Sequence, residues 1–180
     1  VLKVSVFCAA MALSLSACGG GSSDSNNSSS SPPAPAAATS IAQAIAQGEA
    51  NGQLPSLNRD SSVAGPTTNG VRDDIAAYIN SLPDTPVQKK ALMQDAAAIQ
   101  LALTVDTTTQ SALLDAGTQM MKATHCLFKQ YDVDTAPAKA QDLQKFTVNT
   151  RTRFDAYEKF NTAMSGSTVK SVISEDDCAQ

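Results

Sequence analysis

The chain has no tryptophan, one histidine and four cysteines in 180 residues, and only 4% of its residues are aromatic. Each scarcity removes a class of chemistry. His125 is the only imidazole, so the Ser and Thr residues of the loops have no base at a usable spacing for nucleophilic catalysis. No Cys-x-x-Cys-His run marks a haem attachment, and no glycine-rich loop is set up to cradle a phosphate. The 13 Lys and Arg residues form no cluster, and the net charge is -4 with a pI near 4.8. Without a row of cations to neutralise phosphates, nucleic acid is not an expected partner. Few aromatics and abundant alanine favour packed helices over a β-sandwich.

The N-terminus is the most informative stretch. Lys3 precedes an apolar run from Val4 to Leu13, which has the form of a charged n-region and a short h-region and is too short to span a bilayer. Leu15-Ser16-Ala17-Cys18 follows, then Gly19-Gly20-Gly21. This segment resembles the lipobox of bacterial lipoproteins. The resemblance implies that residues 1–17 are a signal peptide, cut before Cys18, and that the Cys18 thiol carries a diacylglycerol. Two or more acyl chains hold a protein stably at a membrane, so no transmembrane helix is required. Under the sorting rule of enteric bacteria, Gly19 in place of Asp implies the outer membrane, facing periplasm or cell surface. Residues 18–39 then form a tether of Gly, Ser and Asn leading into Pro32-Pro33-Ala34-Pro35. So little apolar surface cannot offset ordering entropy, and the expected reach is roughly 25 Å.

That processing also sorts the cysteines. With Cys8 removed and Cys18 acylated, Cys126 and Cys178 remain as a pair in an oxidising compartment, and a disulfide between them is expected.

The remainder, 40–180, reads as one helical domain, with a short helix and long loop over 40–68 and a bundle over 69–180. Ser40 can cap a short helix to Glu49, and turn formers dominate from Ala50 to Thr68. Val71, Ile75, Tyr78, Ile79 and Leu82 keep helical spacing up to Pro83. Thr85 caps and Pro86 opens a helix that runs to about Val105, with Ala91, Leu92, Asp95, Ala96, Ile99 and Leu103 on its inner face. Its wide apolar face suggests contacts on two sides. Thr107 and Gln110 form an expected capping box for a helix ending near Tyr131. A last long helix is expected from Asp134 or Thr135 to Gly166, with Leu143, Phe146, Thr150, Phe154, Tyr157 and Met164 on one stripe and Phe160 at its edge. Val169 to Ile173 would lead, as an apolar tail, to Cys178. The fold class expected is therefore all-α: a small bundle of about four longer helices plus a short N-terminal one, with a disulfide-stapled C-terminal tail.

Asn69-Gly70-Val71-Arg72-Asp73-Asp74-Ile75 is the most motif-like stretch of the mature chain. It has the form of the second half of a calcium loop spanning 65–76, with Asn69 and Asp73 as ligand candidates. Gly65 and Ala76 would fill the first and twelfth positions without a side-chain oxygen, so neither calcium nor another cofactor is expected. The simpler reading is a turn in which Asn-Gly supplies positive φ, followed by acids at a helix N-terminus. The segment Asn69 to Ile75, with Thr147 to Arg151 and Cys178, resembles a set of uncharacterised proteobacterial lipoproteins, over roughly the last 110 residues. That resemblance implies no activity, since the set carries none that could be transferred.

Arg151 and Arg153, flanking Thr152, are candidates for binding an anion or a partner carboxylate, with plain surface exposure as the alternative. Asp73-Asp74 and Glu175-Asp176-Asp177 are expected to be solvated acids. His125 and Cys126 are neighbours on a helix, about 100° apart, and do not share a metal easily. No catalytic residues are expected. The functional expectation is a lipid-anchored, non-enzymatic cell-envelope protein with a protein-binding or structural role. The alternative is a cation or small-ligand module built on the 65–76 turn.

Overall fold

The structure, a computed structural model, describes residues 41–169, 174, 177 and 178. The expected signal peptide 1–17, the Cys18 lipid site and the tether to residue 39 lie outside the described residues, as do Glu175, Asp176 and most of the Val169–Ile173 tail. The described residues belong to a compact unit, Ala38–Gln180.

The fold is an all-α bundle stapled by a disulfide between Cys126 and Cys178. Among the described residues there are six helices: α1 (Ile41–Ala50), α2 (Asp73–Ser81), α3 (Pro86–Thr104), α4 (Gln110–Gln130), α5 (Thr135–Thr147) and α6 (Arg151–Met164). A two-stranded ribbon, β1 (Thr67–Thr68) and β2 (Val71–Arg72), precedes α2.

α3 is the axis. It packs against α4, α5, α6, α2 and β2, which explains its wide apolar face. Thr85 accepts from the Gln88 N–H while the Gln88 side chain reaches back to the Thr85 N–H, and Pro86 takes the first helical position. Leu92, Ala96 and Ile99 join Ile75 and Ile79 of α2, Cys126 and Leu127 of α4, and Ala136 and Leu143 of α5 in the main core. A second cluster joins Ala102 of α3, Leu113 and Ala116 of α4, and Phe160 of α6.

Three local expectations are corrected. Val71 belongs to a strand, and α2 begins only at Asp73, because Asn69 (φ 53°) and Gly70 (φ 79°) make a two-residue hairpin turn. In the ribbon Thr68 pairs with Val71 and Thr67 with Arg72. The Thr107–Gln110 box does not form. Instead Asp106 accepts from the Thr108 N–H and from the hydroxyls of Thr108 and Thr109, and α4 starts at Gln110. The Asp106 hydrogen bonds from Thr108 and Thr109 hold its carboxyl down to about 2.

The largest departure is the last helix, which is two. The chain leaves helical geometry at Val148 and restarts at Thr150, whose side chain accepts from the Arg153 N–H. Thr147-Val148-Asn149-Thr150 is a run of weak helix formers that favour caps. The interruption resets the helical phase. Phe154, expected inward, is 46% exposed, while Phe160, expected at the edge, is 3% exposed.

Candidate functional site

Two arginines lie in the interior. Arg72 and Arg153 are 1% and 0% exposed, and each draws a distant segment onto the bundle. Arg72, at the end of β2, makes a two-pronged contact with Asp74: Nε to Oδ1 at 2.6 Å and Nη2 to Oδ2 at 3.0 Å. It also donates to the carbonyls of Phe146 and Thr147, both at 2.9 Å. Those carbonyls end α5, where the helix dipole favours a cation. The guanidinium therefore closes α5 and contributes to its stopping there.

Arg153 holds the long connection between α1 and β1. Its Nη1 donates to the Asn58 carbonyl and to Asn149 Oδ1, both at 2.7 Å. Its Nη2 reaches Asn58 Oδ1 at 3.2 Å and Asp60 Oδ1 at 3.0 Å, and Nε reaches the Val63 carbonyl at 3.3 Å. All five donors of the guanidinium are thus used. Burial, with the nearby Arg72 charge, lowers the Arg153 pKa, while Asp60 and Asp74 oppose that shift. Burial would raise the Asp74 carboxyl, but hydrogen bonds from Arg72 and from the Asn58 N–H at 2.7 Å leave it below its ordinary value. Gly65 permits this packing twice over. Its φ is 64°, and a Cβ there would lie 2.8 Å from Arg72 Cδ.

These contacts rearrange the expected site residues. Arg151 and Arg153 do not form a joint anion site, since residues two apart on a helix point about 200° apart. Arg151 is exposed, paired with Asp155 and stacked over Phe154 at 5.8 Å. Arg153 is structural and buried, contrary to the surface reading. Asp74 is not a solvated acid but the partner of Arg72, and Asp177 pairs with Lys122 at 2.6 Å. Asn69 and Asp73 are exposed, and the Thr67 hydroxyl is spent on the Ala64 and Gly65 carbonyls. Arg72, inside the 65–76 segment, already occupies the Asp74 carboxylate, and Arg153 Nη2 lies close to Gly65. Among the described residues, no group of three or more His, Cys, Asp or Glu side chains could hold a metal ion.

Beside this arginine-held segment lies a groove of about 780 Å³ between the hairpin, α2 and α3. Val71 and Ala76 on one side and Met93 and Ala97 on the other give it apolar walls. Asn69 stands at one end, where the hairpin turn abuts Ala97, and Asn80, Asp84, Lys89 and Lys90 rim the other. Lys89 Nζ donates to the Asn80 carbonyl at 2.7 Å, which secures the end of α2. Asp84 is neutralised by Lys139 at 2.6 Å. The signals in the sequence for this groove are weak: small residues at 76 and 97, and a lysine pair near the start of α3.

No known protein family, curated protein or solved structure matches the chain. The groove therefore has to be read on its own chemistry. It offers apolar surface with a few polar groups at its ends, the usual make-up of a binding site for a small molecule. It brings together no nucleophile, base and oxyanion donors.

Proposed function

We propose that the chain is a lipid-anchored protein of the cell envelope that acts by binding, without a catalytic step, and that it binds in the groove along α3. The anchor rests on the lipobox-like Leu15-Ser16-Ala17-Cys18 and the polar tether after it. The binding role rests on one observation: a groove of about 780 Å³, within the size range of small-molecule sites, with apolar walls and polar ends. Between a protein-binding role and a small-ligand role, that shape favours the ligand. Asn69, the exposed tip of the hairpin, keeps a part in this reading as a polar group at the groove's end rather than as a metal ligand.

Two substitutions test the reading. Cys18→Ala should move the protein from the membrane fraction to the soluble one, and retention in the membrane would remove the anchor. Ala97→Leu narrows the groove. Native protein, extracted in polymer-bounded membrane discs without detergent, should carry a bound molecule detectable by mass spectrometry, and Ala97→Leu should lose it while keeping the helical circular dichroism. If both proteins carry the same material, the groove is not where binding occurs.

A further inference from the structure

We infer that the groove takes an amphiphile with a single acyl chain and an anionic head, the head lying at the Lys89–Lys90 end. The inference rests on reading the groove as the binding site and adds the class of ligand. Three observations carry it.

The first is shape. The α3 side of the groove runs from Pro86 through Lys89, Lys90, Met93 and Gln94 to Ala97, about 16 Å along the helix axis. A trough of that length with apolar walls can seat a linear hydrocarbon chain lying along α3.

The second is the distribution of polarity along it. The middle is walled by Val71, Ala76, Met93 and Ala97, and the hairpin closes the Ala97 end. Gln94 is the one polar side chain lining the groove between Met93 and Ala97, and its amide is bonded to the Asp177 carbonyl, while the charged groups stand at the mouth. That order, apolar middle and charged mouth, matches a hydrocarbon tail with one polar head.

The third is charge. The chain as a whole is acidic, yet the mouth of the groove is cationic. Asp84, its one carboxylate, is already paired with Lys139. Lys89 bonds to a neutral carbonyl, so that contact brings no counter-charge to the mouth. Lys90 is exposed and forms no ion pair among the described residues. A carboxylate or phosphate head at this mouth would supply the missing counter-charge.

The test uses native protein in polymer-bounded membrane discs and a diazirine-bearing hexadecanoate as the probe, with crosslinks mapped by mass spectrometry. Saturable labelling of the α3 segment around Met93 and Ala97 is expected, with competition by unlabelled hexadecanoate. Lys90→Glu should lower labelling by about fivefold without changing the melting temperature, in line with one partly exposed charge pair. A trimethylammonium probe of the same chain length should label comparably more weakly than the carboxylate. Equal labelling by the anionic and cationic probes, or no effect of Lys90→Glu, would overturn the anionic head while leaving groove binding in place. Absence of α3 labelling by either probe, with Ala97→Leu and native protein also carrying identical material, would overturn both readings.

Discussion

Arg153 Nη1 donates to the Asn58 carbonyl at 2.7 Å across 95 residues of chain. Asn58 in turn accepts from Asn149 Nδ2 at 3.0 Å and donates its N–H to Asp74. One loop residue thus ties α6, the α5–α6 break and the start of α2 together. The connection from α1 to β1 is long and rich in turn formers, but it is not free. Its anchorage also sets one flank of the groove, because the hairpin that ends it forms the groove's wall.

Removing the guanidinium should be costly. Arg153→Met would remove the donor to Asn149 Oδ1 and to the Val63 carbonyl, one of two donors to the Asn58 carbonyl, and the partner of the exposed Asp60, a loss of about 2–3 kcal/mol for buried groups left unpaired. Arg153→Lys should recover little, since an ammonium cannot supply five donors in a fixed plane. Arg151→Ala, on the exposed side of the same helix, should stay within about 0.5 kcal/mol of the parent. Urea unfolding of the three variants checks this. An Arg153→Met protein within about 1 kcal/mol of the parent would show that the contacts do not matter.

The disulfide should carry much of the remaining stability. Cys126 and Cys178 are separated by 52 residues, and closing a loop of that size contributes about 4 kcal/mol by chain-entropy reasoning. The Asp177–Lys122 ion pair and the Gln94 side chain bonded to the Asp177 carbonyl hold the same end of the chain to α4 and α3. Reduction, or the double replacement of Cys126 and Cys178 by Ser, should lower stability by about that amount. It should also speed amide exchange at residues 177 and 178. An unfolding curve indifferent to reductant would contradict it.

Asp95 gives the fold a pH dependence of unusual sign. It sits 6% exposed in the middle of the inner face of α3, and its Oδ2 has no hydrogen-bond partner. Burial raises its pKa from 3.8 to about 7. The folded state therefore holds this proton more tightly than the unfolded chain does. The contribution is fully present below pH 3.8 and is lost as pH rises to about 7, so stability from this group falls across that window. Asp95→Asn should flatten the profile there and raise stability at pH 8 by roughly 2–4 kcal/mol. Asp74 and Asp177, both with lowered pKa values, act in the opposite direction at the acid end, where protonation breaks their pairs. Urea midpoints from pH 4 to pH 8 decide the matter. A parent protein as stable at pH 8 as at pH 5, with Asp95→Asn unchanged, would rule out the buried acid.

Much of this is legible in the order of amino acids alone. Thr85-Pro86 marks the start of α3, and Ala91, Leu92, Asp95, Ala96, Ile99 and Leu103, placed inward by their spacing, are buried. Asn69-Gly70 marks a turn with positive φ, although not that a strand would follow it. The misreadings cluster where side chains outcompete the local pattern. Apolar spacing runs through Thr150 as if one helix continued, but Arg72 takes the carbonyls of Phe146 and Thr147, and Thr150 caps a new start. An arginine next to phenylalanine on an amphipathic stripe looks like a surface residue until five acceptors are found around it.

The division has a physical basis. Helix periodicity, caps and turns depend on groups within about four residues of one another, so the order of amino acids alone establishes a helical domain and its principal core faces. Whether Arg72 and Arg153 can be buried depends on acceptors up to 75 and 95 residues away, because a guanidinium enters the interior only when its donors are satisfied. The groove is of the same kind. Its walls come from a hairpin and two helices, and nothing short of their packing decides that Val71, Ala76, Met93 and Ala97 face one another across an open space.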